Sequence, residues 1–195
     1  MNLSERKRQV FELYEAYDRL VEPYKAQAVC ARGCASCCIE VGSIGATTLE
    51  GLIILDYLKA WGSRATMEIN RRLRGNRSKK LNSVFARCAF LDEGQRCRIY
   101  PVRPFSCRRL YSVQKCDGHG PVVHRQAYIV GQQKEKELQL LDPAGCSGHL
   151  GFILHLLEKK AFHHSYLQGN WNAKDLKDLI EHYQLVVHRD RTSPT

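Results

Sequence analysis

The sequence predicts a mainly helical fold, α with little β, in which helices surround an irregular cysteine-rich core. Apolar residues recur at helical spacing in both terminal parts of the 195-residue chain. The middle of the chain, residues 85–121, is rich in Cys, Gly and Pro and carries only short apolar pairs. Such a composition favours loops and short strands over long regular elements.

The length of the chain fits a single domain, which we expect to span residues 1–188. Within it, residues 30–116 form a cysteine-cluster region and residues 146–188 form C-terminal helices. The remaining residues, 189–195, are expected to be a disordered tail.

The first predicted element is an amphipathic helix over residues 4–28. Its apolar positions follow helical spacing with charged residues between them, and Pro23 is expected to kink or end it. These positions are Val10, Leu13, Tyr14, Tyr17, Leu20, Val21 and Tyr24. A turn-rich loop should follow, because Gly33 and small residues surround the next cysteines.

Two helices are predicted before the central cysteine-rich segment. Thr47 and Glu50 have the spacing of a capping box, which marks a helix start, and a second helix should begin near Ser63. The residues expected to face the core are Leu49, Leu52, Ile53, Tyr57 and Leu58 in the first helix and Met67, Ile69 and Leu73 in the second.

Beyond residue 121 we expect one strand over residues 122–130 and a helix over residues 146–167. Residues 131–141 fit either a helix or a strand. Asn172 is a favourable N-cap residue for a last helix. The apolar face of that helix would be formed by Leu176, Leu179, Ile180 and Tyr183.

The charge balance is basic, with 30 Lys and Arg against 20 Asp and Glu and a formal net charge of +10. This charge permits an acidic partner without requiring one. The N-terminus lacks the apolar region of a signal peptide, and the most apolar stretches, 52–55 and 150–157, are far too short to span a bilayer. We therefore expect a cytoplasmic protein with no membrane partner. In such a reducing compartment, clustered cysteines act as ligands more often than as disulfides.

Eight of the nine cysteines fall in two sets, and we predict all eight as metal ligands. Three cysteines within five consecutive positions are hard to explain as chance core residues, and C-x-x-C spacing lets two sulfurs converge on one ion. The first set is Cys30, Cys34, Cys37 and Cys38, and the second set is Cys88, Cys97, Cys107 and Cys116. Cys146 lies apart from both sets and is expected to be a small core residue.

All-thiolate surroundings suit Zn²⁺ or an iron–sulfur cluster and disfavour Mg²⁺ and Ca²⁺. Zinc would hold a closed structural site, whereas a cluster would add redox or substrate-binding chemistry. Only His119 lies near either set, and the other histidines are expected on helix faces or at the surface.

The adjacency of Cys37 and Cys38 constrains the geometry, because neighbouring side chains diverge in both helices and strands. Either one of the two is spare or they serve different centres. One site with spare thiols and two sites that use all eight both remain open.

Together the two sets resemble the bacterial YkgJ-like cysteine-cluster family, described as zinc- or iron-chelating. The resemblance covers about residues 30–116. It rests on the first cysteine set, on Cys88-Ala-Phe-Leu followed by Cys97-Arg-Ile-Tyr, and on Arg103-Pro-Phe-Ser-Cys107-Arg108. This chain has three residues between Cys30 and Cys34, where two are expected in many members.

Arg103 and Arg108 flank Cys107 within the resembling segment. They could donate hydrogen bonds to thiolates as second-shell groups or bind an anionic group of a substrate or cofactor. Ion pairing with Asp92, Glu93 or Glu40 is the purely structural alternative.

Two alternatives accompany the metal-binding interpretation. Flagellin lysine N-methylase has a similar cysteine cluster, and this similarity implies S-adenosylmethionine-linked methyl transfer; a cluster-dependent redox enzyme belongs to the same class. The other alternative is nucleic-acid binding through the basic run from Arg71 to Lys80, with the cysteines as a zinc scaffold. That run lacks interleaved aromatic residues for base stacking, which disfavours it.

Overall fold

The computed structural model describes residues 1–31, 33–41, 44–83 and 85–188, so the predicted tail at 189–195 lies outside the described residues. The fold is mainly helical (61%) with a small three-stranded antiparallel sheet, which confirms the predicted fold class. The α-helices are α1 (Leu3–Lys25), α2 (Ser36–Glu40), α3 (Thr48–Lys59), α4 (Ser63–Asn82), α5 (Phe105–Arg108), α6 (Arg125–Leu141), α7 (Leu150–Glu158), α8 (Lys160–Leu167) and α9 (Lys177–Tyr183). The strands are β1 (Gly45–Thr47), β2 (Cys146–His149) and β3 (Val186–Val187), and single 3₁₀ turns occur at Tyr100–Val102 and Ala173–Leu176.

Helix α1 has the predicted amphipathic character. Val10, Tyr17 and Val21 are fully buried, and the helix packs against α6 and α3. Pro23 lies in the last turn, and the helix ends two residues later at Lys25, so Pro23 is near its end as expected. The helical periodicity of the first segment therefore identifies the surface that covers the core.

Helix α3 begins with the predicted capping box. Thr47 Oγ1 accepts a hydrogen bond from Glu50 N at 3.1 Å, and Glu50 Oε2 accepts one from Thr47 N at 2.7 Å. The helix is buried between α1 and α7, with Leu49 and Ile54 fully inaccessible. The residues at its N-terminus, Thr47, Thr48 and Glu50, are buried as well.

Asp142, just after α6, is buried and connects distant elements. Its carboxylate accepts hydrogen bonds from Thr48 Oγ1 at 2.6 Å, Leu49 N at 3.0 Å and Tyr166 Oη at 2.6 Å. Arg6 lies 3.5 Å from the same carboxylate. A carboxylate at the N-terminus of α3 is also favoured by the helix dipole.

The sheet has the order β1-β2-β3. Gly45 pairs with His149 and Thr47 with Ser147, while Cys146 pairs with Val187. The sheet therefore brings the end of β2 beside the segment that follows the first cysteine set.

Several predicted elements are wrong in detail. The predicted strand at 122–130 is mostly the start of α6, because Ala127 and Leu138 bury one helical face against α1. Residues 131–141, for which helix and strand were both open, are helical. The predicted helix at 146–167 instead begins with β2, whose backbone pairs with β1 and β3.

Two predictions about helix faces and caps have mixed outcomes. In α4, Ile69 and Leu73 are buried as predicted, but Met67 is 67% exposed. Asn172 accepts a hydrogen bond from Lys174 N at 2.9 Å, and the element it caps is the second 3₁₀ turn, with α9 following. Across the described ranges, no helix is both long enough and apolar enough to span a membrane.

Candidate metal centre

The first cysteine set lies in a loop and in the short helix that follows it. Cys37 and Cys38 are half-buried in α2, where the sequence predicted only a loop. Cys30 and Cys34 precede α2 and are exposed, with Cys34 N donating to Ala31 O at 3.0 Å. Two thiols of this set are therefore exposed and the other two are half-buried.

Cys88 and Cys97 are brought together by a reversal of the chain between them. Leu91 and Cys97 form an antiparallel bridge, and Arg98 N donates to Phe90 O at 2.9 Å. Burial and the nearby Cys97 raise the pKa of Cys88 to about 11. The two thiols are therefore close enough for a charge on one to affect the pKa of the other.

Cys107 lies in α5, a single helical turn that Glu50 anchors. Glu50 Oε1 accepts a hydrogen bond from Phe105 N, the first residue of α5, at 2.6 Å. Cys107 N in turn donates to Pro104 O at 2.9 Å. The capped N-terminus of α3 therefore fixes the position of this thiol.

The two cysteine sets meet in space. Cys88 N donates to Cys38 O at 2.8 Å. Burial, followed by the proximity of Cys88, Cys97 and Cys37, raises the pKa of Cys107 well above its ordinary value. We call these five residues, Cys37, Cys38, Cys88, Cys97 and Cys107, the inner group.

The other three predicted ligands form a second neighbourhood, which we call the outer group: Cys30, Cys34 and Cys116. Partial burial and the nearby thiols of Cys34, Cys116 and Cys37 raise the pKa of Cys30. Ser112 N donates to Cys30 Sγ at 3.2 Å and so orients it. Cys37 interacts with members of both groups.

The thiols of the adjacent residues Cys37 and Cys38 affect each other's pKa. Their side chains share a hydrogen bond, which lowers the pKa of Cys37 to about 7 and raises that of Cys38 far above the ordinary thiol value. The positive charge of Arg103 adds to the lowering at Cys37. Cys37 is thus the thiol best prepared to act as a thiolate at neutral pH.

The donor set fits a soft metal ion. All nine cysteines are free thiols, and the eight predicted ligands supply sulfur only, as zinc and iron–sulfur centres require. Within the part of the chain that the structure describes, no three His, Cys, Asp or Glu side chains already stand at coordination distances from a common point. Coordination would therefore require rotation of the thiols toward one another.

Arg103 and Arg108 occupy different environments although both flank Cys107. The Arg103 guanidinium lies 3.7 Å above the Tyr100 ring. Its charge opposes the effect of burial, which raises the pKa values of Cys97 and Cys107. Arg103 therefore acts electrostatically on thiols of the inner group.

Arg108 instead connects parts of the scaffold. Its Nη2 donates to Pro101 O at 3.1 Å and its Nε to Arg103 O at 3.3 Å. The guanidinium also lies 4.2 Å from the Tyr14 ring centroid and 3.8 Å from Asp18. Its contacts are those of a structural residue.

Cys146 lies in a separate part of the core. It is fully buried in β2, in a hydrophobic cluster with residues of α7, α8 and the C-terminal segment. Burial raises the pKa of its thiol. This environment is the one expected of a core cysteine.

A cleft beside the inner group contains residues that the sequence did not single out. Cys37, Cys38 and Cys88 line it together with Asn76 and His149. His149 follows Cys88 by a long stretch of chain and belongs to no spacing motif. The pairing of β1 with β2 places His149 at the cleft, so no local sequence signal could have identified it.

The basic run from Arg71 to Lys80 lies within α4. Leu73 and Asn76 face the interior, whereas Arg71, Arg74 and Lys79 are exposed. This distribution is that of a solvated helix face.

Comparison with known protein families identifies the segment that carries both cysteine sets. The model of the CxxCxxCC family, described as "Putative zinc- or iron-chelating domain", matches residues 29–128, which is slightly more than half of the chain. The chain belongs to this family. The matched region of this CxxCxxCC protein contains all eight predicted ligands and excludes Cys146 and His149. No curated protein and no solved structure is significantly similar to the chain.

Proposed function

We propose that this CxxCxxCC protein binds zinc or an iron–sulfur centre through thiolates drawn from both cysteine sets. The observation that carries this proposal is the hydrogen bond from Cys88 N to Cys38 O, which joins the two sets at the inner group. Free thiols concentrated in this way fit a reducing compartment, and we propose a cytoplasmic location.

The binding mode that the arrangement favours is two four-thiolate centres. The inner centre would use Cys38, Cys88, Cys97 and Cys107. The outer centre would use Cys30, Cys34, Cys37 and Cys116. Cys38 is assigned to the inner centre because its thiol interacts with those of Cys88 and Cys107. Cys37 also interacts with Cys107, but it is assigned to the outer centre because it interacts with Cys30 as Cys34 and Cys116 do, and each centre then has four thiols.

The charge near the cysteines supports binding through thiolates. Four thiolates around Zn²⁺ leave a net charge of about −2, which nearby cations stabilise. Arg103 lowers the pKa of Cys37 and opposes the raised pKa values of Cys97 and Cys107, so its charge acts on both proposed centres. Zinc would stabilise the fold, whereas an iron–sulfur cluster would supply redox chemistry when bound.

Anaerobic purification followed by elemental analysis and an optical spectrum tests the proposal. Two zinc ions per chain in a colourless protein would support two zinc sites. Iron with matching inorganic sulfide in a brown protein would support an iron–sulfur centre. A chain that takes up neither metal, even after incubation with zinc or cluster reconstitution, would refute the proposed function.

A further inference from the structure

The cleft beside the inner group combines three thiols with one imidazole. Cys37 and Cys38 come from α2, Cys88 from the second set, and His149 from the end of β2. Asn76 also lines the cleft, but its amide already donates to Arg87 O at 2.8 Å. His149 is therefore the polar side chain to consider as a partner of these thiols.

The position of His149 is fixed by the sheet and by α7. His149 pairs with Gly45 across the sheet, and Leu150 N donates to Ile44 O at 2.7 Å. The His149 ring also packs on Phe152, with centroids 5.0 Å apart. The ring is thus held by the backbone on one side and by α7 on the other.

The hydrogen bonding of the ring determines where its proton lies. His149 Nδ1 accepts a hydrogen bond from Gly151 N at 3.2 Å, so Nδ1 carries the lone pair. An Nδ1 atom that accepts a hydrogen bond carries no proton, so the ring is neutral in this arrangement. A neutral ring with a lone pair on Nδ1 carries its proton on Nε2.

His149 lines the cleft, and its Nε2–H group has no acceptor among the described residues, the three cleft thiols included. Nδ1, by contrast, already accepts from Gly151 N in the first turn of α7. A histidine that coordinates a metal through Nε2 would need its proton on Nδ1, where Gly151 N already points. The observed tautomer is therefore unsuited to coordination through Nε2 and suited to donation.

We infer that, once a metal centre holds thiolates at this cleft, His149 donates a hydrogen bond from Nε2 to one of them and is not itself a ligand. The inference rests on the proposed function, which it extends to a residue outside the matched family region. Such a donor offsets the negative charge that thiolates concentrate around a metal ion, and partners of this kind typically change metal affinity by about 10–100-fold.

The substitution His149→Asn separates donation from helix capping. Asparagine is among the best N-cap residues, and its side-chain oxygen can accept from Gly151 N as Nδ1 does. It is shorter than histidine and lacks the Nε2–H group. We expect the variant to keep its thermal transition within a few degrees and to bind Cd²⁺ roughly 10-fold or more weakly than the wild type in chelator competition.

His124→Asn is a matched control. His124 caps α6 in the same way, with Nδ1 accepting from Gln126 N at 3.2 Å, but it stacks on Tyr24 and does not line the cleft. We expect this variant to bind Cd²⁺ as the wild type does. Equal affinity in the wild type and in His149→Asn would overturn the inference.

Nitrogen-15 NMR of the wild type provides a test that needs no variant. The imidazole of His149 should have a protonated Nε2 both before and after Cd²⁺ is added, with no scalar coupling between ¹¹³Cd and either ring nitrogen. Such coupling, or a proton on Nδ1, would overturn the donor role. Failure of the wild type to bind Cd²⁺ at all would overturn this inference, whereas the proposed function falls only if zinc incubation and cluster reconstitution fail as well.

Discussion

The backbone N–H of Cys88 donates to the carbonyl oxygen of Cys38 at 2.8 Å. These residues belong to different cysteine sets, and the bond makes the two sets neighbours in the folded chain. Because the bond is between backbone atoms, it holds the two segments together whatever the protonation of the thiols. The scaffold around this contact determines which substitutions should affect metal binding and which should affect only stability.

Glu50 is the first such position. Its buried carboxylate accepts hydrogen bonds from Tyr14 Oη at 2.5 Å, Thr47 N at 2.7 Å and Phe105 N at 2.6 Å. Glu50→Ala leaves these donors unsatisfied, and we expect it to reduce the free energy of unfolding by about 3 kcal/mol or more. Urea denaturation of the metal-free protein measures this loss. An unchanged midpoint would contradict the role assigned to Glu50.

Glu50 should make the free energy of unfolding depend on pH. Burial raises its pKa above the ordinary value of 4.5, although hydrogen bonds from Tyr14, Phe105 and Thr47 oppose the shift. The folded state therefore holds the proton more tightly than the unfolded chain, and the contribution of Glu50 falls as pH rises from about 4.5 through the folded pKa.

Urea denaturation across this pH range, for the wild type and for Glu50→Gln, isolates the effect. We expect the free energy of unfolding of the wild type, relative to the variant, to decrease as the pH rises. A difference that grows with pH would show that burial is not the dominant influence on this carboxyl group.

The two arginines beside Cys107 should behave differently. Arg103 acts on thiols of the inner group, so Arg103→Gln should weaken zinc binding by up to about 10-fold with a small loss of stability. Arg108 bonds to backbone oxygens and contacts Tyr14, so Arg108→Gln should lower stability by about 1–2 kcal/mol and leave affinity largely unchanged.

Chelator competition measures the zinc affinity of each arginine variant, and thermal unfolding measures its stability. Each variant is the control for the other, since both remove one positive charge beside the same cysteine. The distinction fails if the two variants lose affinity equally, or if Arg108→Gln is the weaker binder.

Several local elements could be predicted from the sequence because their signals lie within short segments. Helix α1 follows from the spacing of Val10, Leu13 and Tyr17, and α3 follows from its capping box. The cysteine sets are likewise visible as spacing. The contact between the two sets is not visible in the sequence, because it depends on a backbone hydrogen bond between distant segments.

Where prediction failed, contacts distant in sequence decided the structure. Residues 122–130 have β-branched and aromatic residues typical of a strand, but burial of Ala127 against α1 makes them helical from Arg125 onward. Strand β2 is short and contains glycine, and it exists because β1 and β3 flank it. His149 reaches the cleft through the same pairing, so its role could be inferred only from the folded chain.

The central claim is that thiols from both cysteine sets share a metal centre. Metal content per chain, measured for Cys38→Ala and Cys107→Ala beside Cys146→Ala, tests it most directly. Cys38 and Cys107 come from different sets and belong to the same proposed centre, so we predict that each substitution removes the same share of the metal. Cys146→Ala should remove none, because its thiol lies in a separate part of the core. Full metal content in Cys107→Ala, or a loss in Cys146→Ala, would contradict the account.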